Sequence, residues 1–161
     1  MDKVKVLFVC LGNICRSPMA EGLFIHKVHE AGLGRQIEVD SAGTSGWHIG
    51  EPADRRMQEV AKKHGVSLPS RSRKLVERDF EEFDYILAMD ESNLSNIRIL
   101  ESQSPVSNAQ VSKMRDYDLL AKGSDVPDPY YGGQQGFEDV YEMLDRSTDE
   151  LLKEVVQRLN S

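Results

Sequence analysis

The stretch Val4–Pro18, VKVLFVCLGNICRSP, carries the reading of the fold. Val4 to Val9 is nearly continuous in apolar and β-branched residues, the pattern of a strand buried on both faces in a parallel sheet. Gly12 and Asn13 then mark a loop, because both tolerate backbone conformations closed to most residues. Ser17 and Pro18 read as an N-cap and first helical position, and Met19, Ala20, Leu23, Phe24 and Val28 recur at helical spacing until Gly32.

Outward from this unit the alternation continues. Ile37 to Ser41 reads as a short strand, and Pro52 to His64 as a helix closed by Gly65. Tyr85 to Met89 is a third buried strand, Glu91 to Leu100 a helix and Val111 to Met114 a weaker fourth strand. Ser102 to Ser112, rich in serine with Pro105, reads as a surface loop. From Phe137 the apolar positions keep a 3.6-residue period through Leu159, one long amphipathic helix that serves packing. Strands alternating with helices predict an α/β fold whose parallel sheet is covered on both faces, with ligands bound beyond the carboxyl ends of the strands. At 161 residues, with no repeat or linker, one domain over residues 1–161 is expected.

The loop at that edge holds the chemistry. Cys10 ends the strand and Arg16 follows six positions later, as the helix begins. Successive backbone N–H groups at a helix N-terminus form an anion cradle that phosphate suits. The same field favours thiolate over thiol at Cys10 and makes it a nucleophile. The planar fork of Arg16 can bind two phosphate oxygens. Breaking a phosphate ester also requires a proton for the departing oxygen, and Asp128, between Pro127 and Pro129 and followed by Tyr130 and Tyr131, is the candidate acid. Its ordinary alternative is a plain Asp-Pro turn. Asp125 lacks that setting and reads as a cap or turn residue.

The bulk properties narrow the function. A net charge of -7 excludes a broad basic face for nucleic acid or anionic membrane. No apolar run has the length of a membrane span or the form of a signal peptide, so a cytoplasmic protein without membrane insertion is expected. The two cysteines, Cys10 and Cys15, lie too close together to staple a secreted fold. His26 and His29 have metal-compatible spacing but lack further ligands to complete a site, and Trp47 reads as a semi-exposed loop residue.

Four segments, VCLGNICRSPMAE (9–21), DSAGTSGWHIGEPAD (40–54), FDYILAMDESN (83–93) and VPDPYYGG (126–133), resemble in order the low-molecular-weight protein tyrosine phosphatases. The resemblance implies a four-stranded parallel sheet and a covalent cysteinyl-phosphate intermediate without metal or cofactor. The substrates it implies are tyrosine-phosphorylated proteins or small aryl phosphates. By matching position it makes Cys10 the nucleophile, Arg16 the phosphate binder and Asp128 the acid that then activates water. Ser17 matches a hydroxyl that stabilises the thiolate, and Asn13 and Ser41 match partners that hold the loop. Leu11, Trp47, Tyr130 and Tyr131 match the rim around the substrate ring, while Gly12, Ile14 and Cys15 complete the loop. One departure is Ser70, where many members carry a histidine.

Three other readings follow. An arsenate reductase would need further cysteines than Cys15. A protein-arginine phosphatase tends to carry threonine where this loop has Ile14, whose bulk should crowd out the water that phosphoarginine hydrolysis uses. A redox-sensing phosphate-binding module without turnover is the third. Cys15, five residues after Cys10, is expected either to trap oxidised Cys10 as a disulfide or to pack beneath the loop.

Overall fold

The computed structural model describes residues 3–161. Four parallel strands, β1 (Val4–Cys10), β2 (Ile37–Gly43), β3 (Tyr85–Ala88) and β4 (Gln110–Lys113), lie in the order β2-β1-β3-β4. The two strands richest in buried apolar residues, β1 and β3, are therefore interior, and β1 is paired from Val4↔Ile37 to Cys10↔Gly43 on one side and from Val6↔Tyr85 on the other. Alternation along β1 splits the core. Val6 and Phe8 face one apolar cluster, with Phe24 of α1 (Arg16–Glu30), Met57 of α2 (Arg55–Lys63) and Leu144 of the C-terminal helix. Leu7 and Val9 face a second cluster, with Phe80 of α3 (Arg78–Glu82) and Ile97 of α4 (Glu91–Ser102). Phe8 and Phe24 meet edge to face at 5.6 Å, and removing a fully buried ring of this kind costs about 3–5 kcal/mol. The last helix, α5 (Gln134–Leu159), packs along α1.

Several boundaries differ from the sequence reading, each for a local reason. The first helix begins at Arg16, and Ser17 is not its cap: that hydroxyl sits 3.0 Å from the Cys10 sulfur. The second begins at Arg55 because Asp54, not the Pro52 region, accepts from the Arg56 N–H at 2.8 Å. β2 runs on to Gly43, since its pairing continues to the end of β1. α4 extends to Ser102, so the loop starts after it. Met114 belongs to a 3-10 turn, Met114–Tyr117, rather than to β4, and α5 starts at Gln134. The short helix α3 was missed, being too brief to show a period.

Candidate active site

β1 delivers Cys10 to the carboxyl edge of the sheet, where the residue is 2% exposed. The loop that follows is shaped by its neighbours. Most of its carbonyls are engaged: Cys10 accepts from Thr44 N, Leu11 from Ser45 N, Gly12 from the Ser72 hydroxyl, Ile14 from Asp54 N and Cys15 from Met19 N. Among the described residues the N–H groups of Leu11, Gly12, Asn13, Ile14 and Cys15 donate to no protein acceptor. Carbonyls turned to the scaffold and amides left over are the electrostatic signature of an anion cradle.

Asn13 makes the turn, with φ of 58°. That conformation falls on the asparagine, not on Gly12. Its amide donates to Ser17 Oγ at 2.8 Å and Ser41 Oγ at 2.9 Å, and its carbonyl oxygen accepts from Arg73 N at 3.0 Å. Receiving that bond, the Ser17 hydroxyl has its own proton to give, and the Cys10 sulfur at 3.0 Å is nearer than the Ala42 carbonyl at 3.5 Å. Gly43 permits the crowding, because a Cβ there would stand 2.7 Å from the Leu11 carbonyl oxygen. Behind this network Ser41 donates to Glu21, whose carboxyl burial pushes above the usual carboxylate range against the opposing pull of the Ser41 and Ser70 hydroxyls. Ser70 thus lies beside the support of the loop.

Arg16, the first residue of α1, is 2% exposed. One guanidinium nitrogen donates to Asp90 at 2.6 Å and to the Val126 carbonyl at 3.0 Å, while the other lies 3.6 Å from Asp128. Burial alone would lower its pKa, but Cys10, Asp90 and Asp128 outweigh this and raise it, so the cation is secure. Asp128 is half-exposed and anchored by one oxygen, which accepts from Tyr130 N at 3.1 Å, leaving the other toward the arginine. Asp125 is spent elsewhere: it pairs with Lys113 at 2.7 Å, which pulls its carboxyl below the usual range, and it accepts from Glu91 N.

Cys10, Leu11, Gly12, Ile14, Cys15 and Arg16 form the floor and walls of one cleft, with Trp47, Asp128, Tyr130 and Tyr131 around it. Trp47 is 73% and Tyr131 95% exposed, and Tyr131 stands edge-on to Tyr130 at 4.9 Å. Cys15 is buried, and burial, followed by the charges of Asp54, Cys10 and Asp128, pushes its thiol far up. His26 pairs with Glu30 on its own helix. The structure adds His48, held by Glu51 at 2.8 Å with its ring edge over Gly12, and Asp90 and Arg73, which support the loop from distant segments. Asp90 had a signal as a helix cap; its bond to Arg16 had none.

Fold and cleft together define a class: an α/β protein with a buried cysteine inside an amide-lined anion cradle at the edge of a parallel sheet. A family model described as low molecular weight phosphotyrosine protein phosphatase matches residues 5–161. The low molecular weight phosphotyrosine protein phosphatase of Schizosaccharomyces pombe is 46% identical, over 94% of this chain and 97% of that protein. Among solved structures, YfkJ from Bacillus subtilis superposes with a TM-score of 0.88 at 38% identity, covering 98% of both chains. DARP, a Drosophila arginine phosphatase, gives 0.89 at 35% identity, covering 94% of this chain and 97% of its own. The chain belongs to the low molecular weight phosphotyrosine protein phosphatase family, a family of hydrolases. No helix among the described residues is long and apolar enough to cross a membrane.

Proposed function

We propose that this protein hydrolyses phosphotyrosine in proteins, and small aryl phosphates, through a cysteinyl-phosphate intermediate. The observation that carries this reading is the buried Cys10 sulfur, bonded to Ser17, at the base of five amides with no protein acceptor. In the first step the Cys10 thiolate attacks phosphorus and forms the S–P bond. The P–O bond to the phenol breaks, and its oxygen takes a proton from the Asp128 carboxyl. In the second, Asp128 as carboxylate takes a proton from water, the water oxygen bonds phosphorus, and the S–P bond breaks to return thiolate and inorganic phosphate. The amides and Arg16 hold the equatorial oxygens through both steps, where charge on phosphorus oxygens is greatest. Leu11, Trp47, Tyr130 and Tyr131 enclose a flat ring.

The arginine phosphatase reading is supported by the likeness to DARP. Ile14 speaks for tyrosine: an apolar side chain only 9% exposed lines the cleft at the point where a small hydroxyl would leave room for water. Turnover of phosphotyrosine, phosphoserine and phosphoarginine peptides side by side is the test. We expect phosphotyrosine to lead by a wide margin. Faster release from phosphoarginine would replace the reading, and no turnover of p-nitrophenyl phosphate would leave a phosphate-binding or redox-sensing module.

A further inference from the structure

On the side of the sheet that holds the second apolar cluster, a groove of about 850 Å3 lies between the Lys74–Arg78 segment and α4. That volume is in the range of formed ligand sites. Val76 and Ile99 contribute to its wall and are 49% and 58% exposed, large aliphatic surfaces left to water. Leu11 belongs to this groove and to the catalytic cleft alike, so the two concavities are neighbours across one side chain. Ser45 fixes that boundary, donating to the Leu11 carbonyl through both its N–H, at 2.9 Å, and its hydroxyl, at 3.1 Å. Lys74 and Glu77, which have no ion pair among the described residues, also line the groove and offer a donor and an acceptor to a main chain passing over it.

We propose that this groove is a substrate subsite that receives an apolar side chain of the polypeptide bearing the phosphotyrosine. The proposal rests on the phosphatase reading above and deepens it. With the phosphate in the cradle and the ring between Leu11 and Tyr130, a chain leaving the cleft past Leu11 enters the groove at once. An extended chain advances about 3.3–3.6 Å per residue, so a side chain within a few residues of the phosphotyrosine reaches Val76 and Ile99. Small aryl phosphates fill the cleft alone and gain nothing from it. The occupant is therefore a flanking aliphatic or aromatic residue, which buries exposed apolar surface on both partners.

A panel of phosphotyrosine peptides in which a single leucine is moved along an alanine and glycine background tests this, with p-nitrophenyl phosphate measured in parallel. Wild type should prefer leucine over alanine about fivefold in kcat/KM at one or two positions on one side of the phosphotyrosine, a modest share of full burial. Ile99→Asp and Val76→Ser, both at exposed positions, should reduce that preference below about twofold and leave p-nitrophenyl phosphate hydrolysis unchanged. A flat panel with an active enzyme, or variants that slow all substrates equally, overturns the subsite and leaves the phosphatase reading intact. A wild type inactive on p-nitrophenyl phosphate removes that reading and the subsite with it. Conversion of a dimer to a monomer by Ile99→Asp in sedimentation would assign the groove to a second copy of the chain instead.

Discussion

Arg16 donates to one oxygen of Asp90 at 2.6 Å, and the other oxygen of the same carboxylate accepts from the Asn93 N–H at 2.7 Å. A single aspartate thus caps α4 and anchors the arginine of the phosphate cradle. Asp90→Ala should lower stability by roughly 3–5 kcal/mol in urea denaturation, because it strands a buried cation as well as removing a cap. It should also reduce kcat/KM for aryl phosphates by about tenfold or more through misplacement of the fork. Asp90→Asn, which can keep the cap, should recover much of the stability but little of the activity. Equal recovery of both would mean that Arg16 is held by Val126 alone.

Cys10→Ser should abolish turnover and preserve the fold, since an alcohol is a far poorer nucleophile than a thiolate near neutral pH. The serine would also meet the Ser17 hydroxyl where the sulfur now does. Circular dichroism and a p-nitrophenyl phosphate assay check this; activity within about tenfold of wild type rules out Cys10 as the nucleophile. Arg16→Lys should be nearly as severe, because one ammonium cannot serve Asp90, the Val126 carbonyl and a phosphate together.

Asp128→Asn should slow substrates with poor leaving groups by about 10²-fold or more, the scale of a general acid. Esters of acidic phenols should lose much less in the P–O cleavage step. With Asp125 already bound to Lys113 and Glu91, a second acid is not at hand. Loss that is uniform across leaving groups, followed through phosphoenzyme formation, would remove Asp128 from the role.

Peroxide should convert Cys10 to its sulfenic acid, and the Cys15 thiol should then condense with it, forming the S–S bond and releasing water. Burial keeps Cys15 protonated, so closure of the disulfide should accelerate as pH rises. Dithiothreitol should restore most activity to peroxide-treated wild type and little to Cys15→Ser, with phosphate protecting both. Equal recovery, or no Cys10–Cys15 cross-linked peptide in mass spectrometry, would show that Cys15 only packs beneath the loop.

Asp118 is fully buried, and Arg146, with Arg115 and the Leu120 N–H, holds its carboxyl down to about 2. A carboxyl lowered by folding stabilises the protein above the ordinary carboxylate range and loses that contribution as pH falls toward its folded value. Stability should therefore decline by roughly 2 kcal/mol between about pH 4 and pH 2 from this group. Asp118→Asn should be less stable at pH 7 and flatter in that acid window; an unchanged slope in urea titrations would place the acid sensitivity elsewhere.

The pattern along the chain was enough for the four strands, for the longer helices that alternate with them, and for marking Cys10, Arg16 and Asp128 as candidate residues. Burial on both faces demands a continuous apolar run, helices demand a 3.6-residue period, and a thiol, a guanidinium and a carboxyl are the groups that this chemistry needs. What the sequence reading misplaced was local competition for hydrogen bonds. Ser17 looks like a cap, yet its hydroxyl goes to the sulfur, and Asp54 rather than a residue near Pro52 starts the second helix. Only the tertiary structure brought Asp90, Ser72 and Arg73 to the loop, set Glu21 behind it on Ser41, and put Ile99 and Leu11 in the wall of one groove. Hydrogen bonds and shared cavities between segments dozens of residues apart depend on strand order and helix packing, which leave no period or spacing along the chain.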